Sequence, residues 1–250
     1  MNLKLGKLKP QRDRRNLKLA RFIRVKDLPP IPPAYDYEMR SGLRIPLPMF
    51  ANDAWGCCVI AGRAHQTLRF EATEQRRIIR ITDEEVLTEY WREQGGDSRS
   101  RPDNGLYLLN SLKAWRRGWR AGGQTYDIYA FAELNREKEE EVKAAIYLLD
   151  GVYCGLWLPQ SAEAELARES PWLENWDRAG GWGGHCVYVC GYSSIGPTCV
   201  TWGRKQLMSW EFWRKYCDEA YGIVDNRDRF MANSPLDVEK LDSYLRKVTA

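Results

Sequence analysis

The sequence is poor in histidine and lacks both a membrane-length apolar run and a paired-cysteine metal motif. Only His65 and His185 occur among its 250 residues. No stretch approaches the roughly 20 apolar residues that cross a bilayer, and Met1 begins no apolar signal-peptide core. None of the seven cysteines forms a Cys-x-x-Cys pair, so we expect no metal site and no cofactor. Without a secretory signal, reduced thiols and a protein that stays off the membrane are expected.

Charge is distributed unevenly along the chain. Residues 1–26 contain ten Lys or Arg and one acid, Asp13, and therefore carry +9. Because the whole chain carries +4, the remaining residues carry −5. Such a basic segment is typical of arms that lie along nucleic acid or an acidic protein surface, and equally of a solvated terminus.

The order of sequence patterns indicates an α+β fold of two lobes. Residues 1–48 are expected to form an extended, basic and proline-rich arm, and residues 49–228 the main domain. That domain has helical patterns over about 49–120 and mostly strands over about 121–228. A helix is expected from Gly56–Cys58 through Phe70, followed by a second with a Thr82–Glu85 capping box. A third is expected to be capped by Asp103 or Asn104, with one strand over 125–133, a loop over 159–184 and a terminal helix within 229–250.

Cys58 is the best candidate for a reactive thiol. A helix amino terminus and a neighbouring imidazolium both lower a thiol pKa, and Cys58 lies where the first helix is expected to begin. His65 would lie about 10 Å further along the same helix, beyond hydrogen-bonding reach. His185 follows a glycine-rich run and opens a strand, so elimination makes it the base. Cys57 remains the rival nucleophile, and His65 is expected to be a polar or capping residue on a helix face.

Three segments resemble motifs of the papain-like cysteine peptidases. Asn52, Gly56 and Cys58 match the spacing of the oxyanion glutamine, the glycine and the nucleophile of that family, with Asn in place of Gln. The segment from His185 to Tyr192 is similar to the family pattern His-x-Val-x-x-x-Gly-Tyr. Val200-Thr201-Trp202-Gly203 resembles its Asn-Ser-Trp-Gly segment. The resemblance extends over roughly residues 48–225 and implies the papain-like fold.

The resemblance also implies roles for these residues. Cys58 would be the nucleophile, His185 its base, and the Asn52 side chain an oxyanion donor, while Trp202 would shield the imidazole. The asparagine that orients the family's histidine aligns with Val200. Thr201 is expected to face away from Val200, which leaves a backbone carbonyl or a water to orient His185. The tryptophans between 172 and 182 are expected either to line a groove beside His185 or to anchor a long loop.

Two functions follow from these observations. The first is a thiol peptidase or amidase that acts on a peptide or protein. The second is a catalytically degenerate docking module, for example a bacteriophage virion component, attached through its basic arm. The expected location is cytoplasmic or virion-associated, with an acidic protein or nucleic acid as the partner of residues 1–26.

Overall fold

A computed structural model of the chain describes residues 3–24, 27–36, 38, 42–226 and 235–249. Within these ranges three consecutive helices precede most of the antiparallel strands, which confirms the α+β class. The helices are α1 (Cys58–Glu74), α2 (Asp83–Glu93), α3 (Leu108–Trp115), α4 (Glu139–Leu148), α5 (Ser161–Ala167), α6 (Trp210–Tyr216) and α7 (Val238–Thr249).

The described strands form one large antiparallel sheet and one hairpin. They are β1 (Tyr35–Asp36), β2 (Trp119–Ala121), β3 (Gln124–Tyr126), β4 (Ala130–Glu133), β5 (Val152–Leu158), β6 (Gly183–Tyr192), β7 (Pro197–Thr201), β8 (Arg204–Leu207) and β9 (Cys217–Val224). The large sheet has the order β4-β9-β5-β6-β7-β8, with β1 paired to the end of β6, and β2 pairs with β3. Strands β5 and β6 are therefore central, and their apolar side chains are buried on both faces.

Helix α1 packs closely against the centre of this sheet. Nearly all its side chains are buried, and these include polar ones such as Arg63 and Gln66. Gly62 allows the close approach, because a Cβ atom there would lie 3.1 Å from the Tyr153 ring and 3.2 Å from Sγ of Cys186. The Tyr153 hydroxyl also donates a hydrogen bond to the carbonyl of Val59. These contacts fix the first turn of α1 against β5 and β6.

The helix boundaries confirm some local expectations and correct others. Both hydrogen bonds of the Thr82–Glu85 capping box are present. Neither Asp103 nor Asn104 caps α3, whose N-cap is Tyr107. The expected strand over 125–133 is divided between β3 and β4, and the expected loop over 159–184 contains α5. The terminal helix begins at Val238 within the described residues.

A buried ionic network holds the helices together. Arg63 of α1 has no exposed side-chain area and forms ion pairs with Glu89 and Glu93 of α2. It also donates a 2.7 Å hydrogen bond to the Ser111 carbonyl of α3. Removal of one partner from such a network leaves buried charges uncompensated.

Replacement of Arg63 with Met is expected to destabilise the protein by about 3–5 kcal/mol, because Glu89 and Glu93 lose their buried partner. Arg92→Met is the matched control, since Arg92 also contacts Glu89 but its side chain is 54% exposed. The control should cost less than about 1 kcal/mol. Urea unfolding curves measure both changes, and equal losses would show that the network does not stabilise the helical part.

Candidate active site

Cys58 is the first residue of α1 and is completely buried. Its Sγ atom accepts a hydrogen bond from the backbone N–H of Cys186, 3.4 Å away. Because Cys186 directly follows His185, the contact between α1 and β6 brings the two sequence-predicted residues into the same site. The position at the start of a 17-residue helix favours the thiolate form of a cysteine once water is admitted.

The loop before α1 has a strained backbone at the two residues that precede Asn52. Phe50 and Ala51 have φ values of 57° and 56°, which non-glycine residues seldom adopt and which are frequent at functional sites. The Asn52 side-chain amide donates to the carbonyls of Trp55 and Lys4 at 2.9 and 3.3 Å. The amide donor expected to stabilise an oxyanion is therefore present, and it already binds a backbone carbonyl.

Gly56 is held by the carboxylate of Asp103, a residue that was expected to cap the third helix. Oδ1 of Asp103 accepts hydrogen bonds from the Gly56 N–H at 2.8 Å and from the Tyr90 hydroxyl at 2.7 Å. Asp103 therefore anchors the loop before Cys58 instead of capping a helix.

His185 lies between a hydroxyl and an indole. Its Nε2 is 2.6 Å from Oγ1 of Thr201, and its ring stacks on Trp202 with centroids 3.8 Å apart and planes at 8°. Its Nδ1 has no hydrogen-bond partner among the described residues. A neutral imidazole that donates Nε2–H to Thr201 keeps Nδ1 as an acceptor for the thiol proton.

The hydroxyl of Thr201, and not a backbone carbonyl, contacts Nε2 of His185. Thr201 does face away from Val200, and this direction brings its hydroxyl to the imidazole. Val200 instead packs with Tyr188 and Cys190 on the other face of the sheet. Trp202 and Gly203 then form the turn between β7 and β8 with φ values of 41° and 77°, a geometry typical of tight hairpins. This turn places the Trp202 ring over the imidazole.

The chain's own amino terminus lies across this site. Lys7 N–H donates to the Gly184 carbonyl at 3.0 Å, next to His185. On the other side, Leu106 N–H donates to the Gly6 carbonyl at 2.8 Å, and Leu8 N–H donates to the Leu106 carbonyl at 2.9 Å. Residues 4–8, here called the covering segment, therefore bridge the helical part and the sheet like a bound extended peptide.

Glycines on both sides make this close approach of two backbones feasible. A Cβ atom on Gly6 would lie 1.7 Å from the Gly56 carbonyl oxygen. One on Gly105 would lie 2.2 Å from the Gly6 oxygen, and one on Gly184 would lie 2.1 Å from the Lys7 oxygen. No side chain fits at any of the three positions while the segment is in place.

Burial under the covering segment sets the protonation states. Burial raises the pKa of the Cys58 thiol, although hydrogen bonds from the backbone of Cys186 and Gly6 act in the opposite direction. Burial lowers the pKa of His185 to about 3. The covered site therefore holds a neutral thiol and a neutral imidazole at physiological pH.

The other candidates lie inside the hydrophobic cores. Cys57 donates from Sγ to the Phe50 carbonyl at 3.3 Å, and burial raises its pKa well above the ordinary value. His65 is a polar residue of α1 that is buried against Phe50, and it does not cap the helix. All seven cysteines are buried free thiols. In the described ranges, no cluster of three His, Cys, Asp or Glu side chains is arranged to hold a metal ion.

The tryptophans between 172 and 182 have different environments. Trp172 is fully buried and stacks on Phe212, and thus anchors the segment. Trp182 packs beside Trp202 with ring centroids 5.2 Å apart, close to His185. Trp176 is 89% exposed. The expectation of an anchored loop therefore holds for Trp172, and the expectation of a groove lined by tryptophans stays a prediction.

Comparison with solved structures identifies the architecture. The chain is similar to xylellain, a cysteine protease from Xylella fastidiosa, with a TM-score of 0.69 and 14% identity over 90% of this chain and 97% of that one. Procathepsin B S9 from Trypanosoma congolense has a TM-score of 0.64 and 13% identity over 89% of this chain and 87% of that one. For a Carica candamarcensis cysteine protease in complex with E-64, the TM-score is 0.55 and the identity 12% over 78% of this chain and 100% of that one. The chain has a papain-like fold.

The likeness lies in structure more than in sequence. No protein-family model matches the chain, and no curated protein matches its sequence. The papain-like fold accounts for the helix-first, sheet-second order and for the meeting of α1 with β6. None of the helices within the described ranges is long and apolar enough to cross a membrane.

Gly6→Leu in the full-length chain is expected to expose Cys58, because the added side chain cannot fit against Gly56. Wild-type Cys58 should react with iodoacetamide only above the ordinary thiol pKa of about 8.5, since burial raises its pKa. The variant should react roughly tenfold faster or more at pH 7, because hydration and the imidazole then favour the thiolate. Peptide mass spectrometry reports the modified cysteine.

Lys9→Leu is the matched control, since it introduces the same side chain three residues away at an exposed position. It should leave the alkylation profile of the wild type unchanged. Equal Cys58 labelling in all three proteins would mean that residues 4–8 do not cover the thiol in solution.

Proposed function

We propose that this protein is a thiol peptidase or amidase in which Cys58 is the nucleophile and His185 the base. The observation that carries the proposal is the arrangement Thr201–His185–Trp202 beside a cysteine at a helix start. The imidazole is held by a 2.6 Å hydrogen bond on one nitrogen and by ring stacking, and its other nitrogen is available. Fold likeness alone does not imply activity, whereas this geometry provides an oriented base beside a thiol.

The side chains supply each step of peptide hydrolysis. Nδ1 of His185 takes the proton of Cys58, and Sγ attacks the substrate carbonyl carbon. The Asn52 amide and the Cys58 N–H donate to the resulting oxyanion. His185 then protonates the leaving amine as the C–N bond breaks, and a water hydrolyses the thioester to release the acid and restore the thiol. Thr201 acts as a positioning residue that keeps the imidazole in the required tautomer.

In the same proposal, the covering segment holds the enzyme in a latent state. The Lys4 carbonyl accepts the Asn52 amide hydrogen bond at 3.3 Å, the role assigned to a substrate oxyanion. The segment also satisfies the backbone groups of Leu106 and Gly184, which would otherwise bind a substrate. Activity therefore requires that residues 4–8 leave the cleft.

The docking-module hypothesis has less support. The solved structures with the same fold are described as cysteine proteases, and none supports a virion role. Several cations of residues 1–26 pair with carboxylates of this same chain, as Lys18 does with Glu133 and Arg24 with Asp237. Part of the positive charge of residues 1–26 is therefore paired with carboxylates of the same chain.

Thr201→Val tests the assignment when it is introduced into the Gly6→Leu chain. Loss of the hydroxyl leaves His185 without its orienting hydrogen bond. Alkylation of Cys58 below pH 8 and hydrolysis of a fluorogenic peptide pool should both fall, by about tenfold or more. Because the residue acts through the imidazole, kcat should fall while KM changes little.

Thr201→Ser keeps the hydroxyl and should restore both signals. Thr198→Val is the matched control on the same strand and should have no effect. Hydrolysis that persists in Cys58→Ala, or a pH profile that Thr201→Val and His185→Ala leave unaltered, would refute the proposed mechanism.

A further inference from the structure

The Lys7 side chain fills an acidic pocket beside the proposed nucleophile. It has no exposed area, and its Nζ lies 2.7 Å from Asp218 Oδ2 and 3.2 Å from Glu219 Oε1. The same Nζ lies 5.6 Å from the centroid of the Trp157 ring, a cation–π geometry. Burial alone would lower the pKa of Lys7, but the charges of Glu219 and Asp218 more than offset it and raise the pKa. The side chain is therefore an ammonium ion.

The strand beneath the pocket is built to admit a long side chain. A Cβ atom on Gly155 would lie 2.0 Å from Cε of Lys7, so any other residue of β5 at this position would block the pocket. Gly155 is paired with Cys186 on one side and Glu219 on the other. The pocket is therefore built from two neighbouring strands of the central sheet, β5 and β9.

The pocket contains more acceptor capacity than Lys7 uses. Oδ1 of Asp218 accepts no hydrogen bond from the described residues. Glu219 is 6% exposed, and Tyr221 orients it by donating to Oε2 at 3.1 Å. Two carboxylates held this way would be strongly unfavourable without a cation. Trp157, Asp218 and Glu219 also line a groove of about 1260 Å³, which gives a long side chain access from solvent.

Any extended peptide that replaces the covering segment meets the same backbone groups. The N–H and C=O of Leu106 and the C=O of Gly184 lie on opposite sides of the cleft next to Cys58. Buried backbone groups of this kind need hydrogen-bond partners. A peptide that supplies them follows the path of Gly6 to Leu8 and directs one side chain into the Lys7 pocket.

We propose that the pocket formed by Gly155, Trp157, Asp218 and Glu219 selects a lysine or arginine side chain of the peptide that binds beside Cys58. This inference rests on the proposed function, for which it names the substrate class. Lys7 is then the internal counterpart of the substrate side chain, and the covering segment is held mainly by the contact that a basic substrate must replace. An arginine supplies additional N–H donors for the free oxygen of Asp218.

The test uses full-length Gly6→Leu and synthetic peptides of residues 3–9 with the natural Gly6. Each peptide competes with iodoacetamide for the site, and the protection of Cys58 gives its affinity without any need for catalysis. Wild-type and Lys9→Met peptides should protect equally, since Lys9 is exposed. The Lys7→Met peptide has a side chain of similar length without charge and should bind about 30-fold more weakly or worse.

Asp218→Asn and Glu219→Gln in the protein should reduce the difference between the wild-type and Lys7→Met peptides. Glu211→Gln, at a side chain that is 62% exposed, should leave it unchanged. Equal protection by the three peptides, or no protection by any, overturns the pocket assignment. The intact chain gives a second measure, in which Lys7→Met should increase Cys58 alkylation and Lys9→Met should not.

Hydrolysis of matched peptide amides that differ only in a lysine or a methionine separates the two proposals. Discrimination in the protection assay without hydrolysis would contradict the peptidase function and leave the acidic pocket standing. Hydrolysis with equal rates for the lysine and methionine peptides would overturn the pocket and leave the peptidase function standing.

Discussion

The contact between helix α1 and strand β6 is the constraint on which the rest of the site depends. Gly62 lets the helix approach within van der Waals distance of Cys186 and Tyr153, so the first turn of α1 is fixed against the sheet. Since Cys58 begins that turn and His185 precedes Cys186, one packing contact brings the proposed nucleophile and base together. A larger side chain at position 62 would separate the two parts and the two residues at once.

Complementary charge explains why a strongly basic terminus lies on an acidic body. Lys7 is paired with Asp218 and Glu219, and Lys18 with Glu133. Among these ion pairs, the buried ones of Lys7 contribute most to the attachment of the covering segment, because exposed pairs contribute little to stability. By covering Cys58 and His185, the same segment keeps both groups neutral, since exclusion of water raises the thiol pKa and lowers that of the imidazole.

Much of the fold could be predicted from the sequence, and the geometry of the site only in part. Periodic apolar residues and the Thr82–Glu85 box located α1 and α2, and the spacing of Asn52, Gly56, Cys58 and His185 indicated the fold. The alternation of side chains along a strand correctly predicted that Thr201 faces away from Val200. No local pattern shows which face of the strand meets the histidine. The role of Asp103 and the position of residues 4–8 depend on contacts between residues far apart in sequence. Gly6, Gly105 and Gly184 were the available signals for a close backbone contact.

The most direct test of a Cys58–His185 pair held neutral under residues 4–8 is a ¹⁵N NMR titration of the histidine side chains, feasible because the chain has only two. The His185 signals are assigned with a His185→Gln variant. The account predicts that wild-type His185 stays neutral with its proton on Nε2 from pH 8 down towards its pKa of about 3. In Gly6→Leu the imidazole should instead be protonated near neutral pH, because it then pairs with the Cys58 thiolate. An identical titration in both proteins, or a wild-type midpoint near the ordinary value of about 6.5, would contradict it.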